Sequence, residues 1–255
     1  MCVLQKVATA DIYLAFDRYF EFSIKSHTGS TRSGQHASRR HQLNLTSPLP
    51  PQKVALTVAE NKRQIIDMLC QELQGNCCQE ILNHKIVVTG RDPVPVEIFK
   101  EKTRKREDLQ TYHEEADIII QQMVQLAKSG AKSICVISDD TDVFVLLLHH
   151  YWKLDLTCSL TMQSSTSGKT CTDIAATVKE HTAIVPSLLA MHCLSGCDTV
   201  GQLYGIGKGK ALKVLRSGCS LWKLGCTDAP ISDVILEATK FMVACFGSKR
   251  MICQM

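Results

Sequence analysis

A chain of 255 residues, 45% of them hydrophobic, can bury one large core or two smaller ones. Its charged share of 21% and aromatic share of 5% exclude a fibrous or globally disordered polypeptide. The net charge of +4, from 29 Lys and Arg against 25 Asp and Glu, does not by itself demand an anionic partner.

The chain opens on a short β-prone run, Asp11 to Phe16, that ends at Asp17-Arg18. From about Ser23 to Lys53 the sequence is rich in Ser, Thr, Gly, Pro and His and has no hydrophobic period, which predicts a flexible segment. No acidic residue falls between Glu21 and Glu60, while Lys25, Arg32, Arg39, Arg40 and Lys53 all do. Such a run suits phosphate binding through counterion release, although a solvated basic loop looks the same. Val58 to Leu73 carries Ile65, Ile66, Leu69 and Leu73 at helical spacing.

Lys85 to Thr89 predicts a brief strand, with Gly90-Arg91-Asp92-Pro93 as a turn. A second basic knot, Lys100, Lys102, Arg104, Lys105 and Arg106, then reads as a linker. Ala116 to Ala127 predicts a helix closed by Gly130, and Ser133 to Ser138 a buried strand running into Asp139-Asp140-Thr141-Asp142. Val143 to His149 is a helix or a strand; its periodicity does not decide. Leu156 to Met162 predicts a strand, and Asp173 to Glu180 and Pro186 to His192 predict helices. A glycine loop, Gly205-Ile206-Gly207-Lys208-Gly209-Lys210, leads into a helix over Ala211 to Leu215, and Ile231 to Phe246 forms a last amphipathic helix. Alternation of strands and helices predicts an α/β fold with a largely parallel sheet.

No apolar run approaches the ~20 residues of a membrane span, and no secretory leader is evident. Thirteen cysteines, an odd number, therefore read as reduced thiols of a nuclear or cytoplasmic protein. His192, Cys193 and Cys197 lie close together and Cys77 adjoins Cys78, but no Cys-x-x-Cys pairs stand at zinc-finger spacing, so structural zinc is not expected.

The acidic residues carry the chemistry. Asp140 and Asp142 follow a buried strand, two residues apart, so in extended chain their carboxylates point to one side and require a cation between them. Open α/β sheets hold ligands at this end of their strands. An equally good account is a helix cap, which Asp-Asp-Thr-Asp suits well. Glu114, Glu115 and Asp117 open a helix, where the dipole favours acids in any case by ~0.3–1 kcal/mol. Asp198, in Ser195-Gly196-Cys197-Asp198-Thr199, caps a turn or joins a site. The glycine loop is no dinucleotide fingerprint, because no strand precedes it and its spacing is Gly-x-Gly-x-Gly. Gly168-Lys169-Thr170 fails as a P-loop because Gln163 occupies the position of its first glycine.

In this order, Phe16-Asp17, Glu115-x-Asp117, Asp140-x-Asp142, Gly196-Cys197-Asp198 and Gly205-Ile206-Gly207-Lys208 resemble the flap-endonuclease family of 5′ nucleases within the PIN-like superfamily. The chain is similar to transposon-associated or asteroid-like members, and is expected to be truncated at its N-terminus. The resemblance implies a PIN-like three-layer α/β fold with a central, mostly parallel sheet and a C-terminal helix–two-turn–helix-like region. The implied divisions are a partial strand region (1–22), a basic arch-like segment (23–57), a nuclease core (58–200) and a helical region (201–255).

By residue, it implies that Asp17, Glu115, Asp117, Asp140, Asp142 and Asp198 are catalytic ligands of two Mg²⁺ or Mn²⁺ ions, and that K⁺ binds the Gly205–Gly209 loop. Lys25, Arg32, Arg39, Arg40, Gly205, Gly207, Lys208 and Lys210 would contact nucleic acid, branched or single-stranded DNA rather than RNA. The expected activity is metal-dependent phosphodiester hydrolysis. Four features depart from the family: the strand bearing its first Asp has no counterpart, Arg18 replaces a glycine, Asp117 replaces a glutamate, and Cys197 replaces a serine, a small and harmless change. Loss of the first Asp leaves open a catalytically inactive nucleic-acid-binding or scaffold protein of the same fold.

Overall fold

The structure, a computed structural model, describes residues 10–18, 40–44, 46–48, 51–75, 84–90, 92–100, 102–113, 115, 117–166, 171–197, 200–202 and 204–247. The protein is α/β and divides between Gln122 and Met123 into two compact units. No helix among the described residues is long and apolar enough to cross a membrane.

In the first unit, β1 (Ile12–Ala15), β2 (Ile86–Thr89), β3 (Val96–Phe99) and β4 (Lys102–Lys105) form one sheet in that order. β1 runs parallel to β2 with Ile12 opposite Ile86, and the other two pairs are antiparallel. Between β1 and β2 lie α1 (Gln52–Ala55) and α2 (Ala59–Gln74). Alternation puts Ile12, Ile86, Val88 and Ile98 on one face, where they pack with Leu73 of α2. Each such buried aliphatic side chain contributes ~1.5–3 kcal/mol. β2 is buried along its whole length, which is why it reads as the unbroken apolar run Ile-Val-Val-Thr.

Polar groups tie the rest of this unit down. Asn61 and Gln64 on α2 accept the amides of His41 and Leu43 at 2.9 and 2.8 Å, fastening the tail of the basic segment to the helix. Arg18 is 4% exposed, and its guanidinium donates to the carbonyls of Gly90 (3.2 Å), Asp92 (3.1 Å) and Thr111 (2.5 Å). The residue that departs from the family pattern is therefore a pin across three chain segments.

The basic knot predicted as a linker is instead the β3–β4 hairpin, followed by a 3₁₀ turn, Glu107–Leu109. Its register places Glu97 opposite Arg104, and Glu97 accepts from Arg104 at 3.0 Å and from Arg106 at 2.7 Å. Arg106 also holds Asp108 at 2.6 Å. Burial acts to raise the Glu97 carboxyl, but the two guanidinium bonds outweigh it and hold the group below its ordinary value. Its ionised form thus adds stability that is full above about pH 4.3 and is lost as pH falls through the lower folded value. Glu97→Gln is expected to unfold more easily than wild type at pH 7, with the difference closing below about pH 4. Urea denaturation at several pH values tests this, and a difference independent of pH would contradict it.

In the second unit, β5 (Ser133–Ile137), β6 (Ser159–Gln163) and β7 (Thr172–Asp173) form a second sheet, the first pair parallel and the second antiparallel. α3 (Ile118–Lys128) spans the division between the units, and α4 (Thr141–Lys153) links β5 to β6. The ambiguous run after Asp142 is thus helical. Asp140 caps α4, which buries Val143, Val145, Leu147 and Leu148. After β7 come α5 (Ile174–Glu180), α6 (Val185–Leu194), α7 (Lys208–Arg216) and α8 (Ile231–Phe246). Met191, Ile206, Ala211, Leu215, Leu221, Phe241 and Cys245 make the core of this helical part.

The expected single, mostly parallel sheet is replaced among the described residues by two mixed sheets. Hairpin pairing of β3 with β4 and the antiparallel return of β7 add neighbours that βαβ alternation does not foresee.

Candidate functional site

Among the predicted ligands, Asp140 and Asp142 have the most fully described surroundings. Both stand just beyond the carboxyl end of β5. The Asp142 amide donates to Asp140 Oδ1 at 2.8 Å, so the capping account is realised. Capping engages one oxygen and leaves the second.

Asp142, in the first turn of α4, places Oδ1 2.8 Å from Nε2 of His192 on α6. The His192 side chain is 6% exposed against 35% for Asp142, so the contact has a buried and an open end. Among the described residues no further hydrogen bond engages Oδ2 of either Asp140 or Asp142.

His192 is held in turn. Lys208, the first residue of α7, donates its ammonium to the carbonyls of His192 and Gly196 at the end of α6. Burial lowers the Lys208 pKa, and nearby Asp142 with the Cys197 and Cys193 thiols opposes that shift. Cys193 is pushed up by burial first, then by Cys197. A cation set among carbonyl oxygens here offsets the negative end of the α6 dipole.

Gly196 closes this corner. Its φ is +97°, and a Cβ there would sit 2.7 Å from the Cα of Gln202. The Gln202 side-chain amide donates to the carbonyl of Ile206 at 3.0 Å, bracing the glycine loop from the same residue. Gly196→Ala is expected to lower the unfolding free energy by about 2 kcal/mol or more, from left-handed strain plus the clash. Equilibrium denaturation checks it, and an unchanged midpoint would mean that the loop yields freely.

Three sequence blocks separated by up to some sixty residues therefore meet: 140–142, 192–197 and 205–208. Gly207 begins α7 with no side-chain cap, and space is open above Gly205 and Gly209. Lys210 Nζ lies 3.4 Å from the Gly205 carbonyl. Thus Lys210 is exposed, whereas the Lys208 ammonium faces inward to carbonyls. Asp198 lies outside the described residues.

In the first unit, Asp17 follows β1, where the Phe16 amide bonds the Thr89 carbonyl at 3.2 Å. Glu115 and Asp117 stand at the start of α3, their carbonyls accepting from Ile118 and Ile120. All three acids are half-buried and make interactions within the fold. Arg40 is exposed, while Lys25, Arg32 and Arg39, like Glu114, lie outside the described residues.

Among the described residues no three His, Cys, Asp or Glu side chains stand together as a metal-binding group. Asp140 and Asp142 are chemically suited to a hard divalent ion, as carboxylates with one oxygen each in reserve, although Asp142 stands in the first turn of α4 and not in the extended chain expected to align the two. Sequence reasoning noted His192 only beside its cysteines. Its pairing with Asp142, fifty positions away, leaves no signal in local spacing. Searches among protein-family models, curated proteins and solved structures gave no match to this chain.

Proposed function

We propose that this chain is a divalent-metal-dependent nuclease of PIN-like fold, acting on the phosphodiester backbone of branched or single-stranded DNA. The observation that carries the reading is the Asp140–Asp142 pair at the end of β5, with one oxygen of each in reserve and Asp142 oriented by buried His192. Mg²⁺ or Mn²⁺ bound there supplies positive charge against the phosphate and acidity to a bound water.

The protein's own groups do the rest. Asp140 and Asp142 hold the ion, and His192 fixes the Asp142 rotamer by its 2.8 Å contact. Lys208 anchors His192 through the end of α6. The open amides of α7 and the exposed Lys210 receive backbone phosphate, as helix N-termini do. Asp198 is a further carboxylate ligand in this reading, on the strength of the family resemblance. Lys25, Arg32, Arg39 and Arg40 add sequence-independent attraction to phosphate. The resemblance also assigns K⁺ to the Gly205–Gly209 loop; Lys210 already places an ammonium beside its first carbonyl.

A second reading, a binding protein without catalysis, is favoured by the lack of a third ligating side chain beside Asp140 and Asp142 among the described residues. Incubating the full chain with 5′-flap and single-stranded DNA separates the two. Cleavage in Mg²⁺ or Mn²⁺ that stops in EDTA is expected. Retention of the DNA uncut under all conditions selects the binding protein.

A further inference from the structure

We propose that the β3–β4 hairpin is a second nucleic-acid contact, one that grips the phosphate backbone without metal. This rests on the nucleic-acid reading above but uses none of its carboxylates.

β4 is the edge strand of its sheet, and all four of its residues, Lys102, Thr103, Arg104 and Lys105, are exposed. At the tip, Lys100 takes the unusual φ of 53° and lays its ammonium 5.3 Å from the centre of the Phe99 ring. The register places Lys102 and Arg104 on one face and Lys105 on the other, so positive charge wraps the strand.

Only part of this charge is balanced. Glu97 takes Arg104 and Arg106, and Asp108 takes Arg106 again. Among the described residues no carboxylate pairs with Lys100, Lys102 or Lys105, and residues 100–105 carry the basic Lys100, Lys102, Arg104 and Lys105 against the single acid Glu101. The buried Glu97 makes the arrangement rigid: at 9% exposure it binds two guanidinium groups and sets the strand's geometry from beneath. Little ordering remains to be done when an anion arrives.

Lysine on an edge strand also discourages pairing with other sheets, for which one or two such residues suffice. Here basic residues lie on both faces of the strand, and the turn adds Lys100 next to Glu101. Lys102 and Lys105 lie about 10 Å apart along the strand, a length of duplex axis over which each strand carries about three phosphates. A polyanion of regular, closely spaced charge is the partner that this geometry fits.

The test is binding of labelled single-stranded DNA and RNA to the full chain in EDTA, over a series of salt concentrations, with Lys102→Glu/Lys105→Glu and the milder Lys102→Gln/Lys105→Gln. The neutral double variant is expected to reduce the slope of log affinity against log salt by about 2, and affinity by about tenfold near 0.1 M salt. The charge-reversed variant should lose more. Unchanged affinity and slope in natively folded variants overturn the proposal, as does failure of the wild type to bind nucleic acid while it binds anionic phospholipid vesicles. Lost cleavage in Asp142→Asn with normal binding by the hairpin variants would leave the nuclease reading standing and remove the hairpin from it.

Discussion

Asp142→Asn is expected to abolish the proposed metal-dependent cleavage, by at least on the order of 10³-fold in rate, while leaving the fold intact. The asparagine keeps an oxygen for His192 Nε2, so the 2.8 Å contact survives, but it withdraws the negative charge that a hard cation requires. His192→Gln separates orientation from charge. It keeps a donor that reaches Asp142 without closely reproducing the ring geometry, and is expected to reduce the rate by about tenfold to a hundredfold, as losses of ligand-orienting partners do. The checks are single-turnover cleavage in Mn²⁺ and the relaxation enhancement of water protons by bound Mn²⁺. Full cleavage by Asp142→Asn would sink the assignment of this pair as the metal site. Reduced metal affinity together with reduced rate in that variant supports it.

Arg18→Ala should produce the largest loss of stability of any single change in the first unit. The substitution removes the donors of three carbonyls, those of Gly90, Asp92 and Thr111, from a residue only 4% exposed. The buried Thr111 carbonyl is left unsatisfied, the partly buried acceptors of Gly90 and Asp92 turn to water, and the packed guanidinium is lost, together costing about 2–3 kcal/mol or a fall in Tm of roughly 5–10 °C. Burial lowers the Arg18 pKa, and the Asp92 charge acts against that shift. Arg18→Lys tests geometry apart from charge: a single ammonium cannot reproduce the planar fork that spans three segments, so most of the loss should remain. Calorimetry decides the matter. A lysine variant as stable as wild type would show that charge alone holds these loops.

Both predictions depend on residues whose partners lie far along the chain, and this marks the limit of what was legible in the sequence. Periodicity located α2 and α8 closely, because a helix needs only its own residues to repeat an apolar face. It placed β2 and β5 for a similar reason, as short runs of branched apolar residues bounded by turns, but the expectation that β5 is buried fails: Val136 alone of its five residues is buried. It misread Lys100 to Arg106 as a linker because β4 has no apolar residue at all; pairing with β3 and the buried carboxylate of Glu97 make it a strand. The choice between helix and strand after Asp142 fell to tertiary burial of Val143, Val145, Leu147 and Leu148, to which the bond from the Asp142 amide to Asp140 Oδ1 adds a cap.

The same division holds for the candidate site. Sequence alone determined that acids stand at the end of a strand, that Gly196 and the glycine loop follow in order, and that no metal-finger spacing is present. Only tertiary structure decided that His192 faces Asp142, that Lys208 turns inward to two carbonyls, and that Arg18 is a buried pin. The physical reason is one of range. Capping and amphipathic periodicity act within about four residues and so imprint on local sequence. A hydrogen bond between side chains 50 positions apart is chosen by packing, and nothing in either neighbourhood records it.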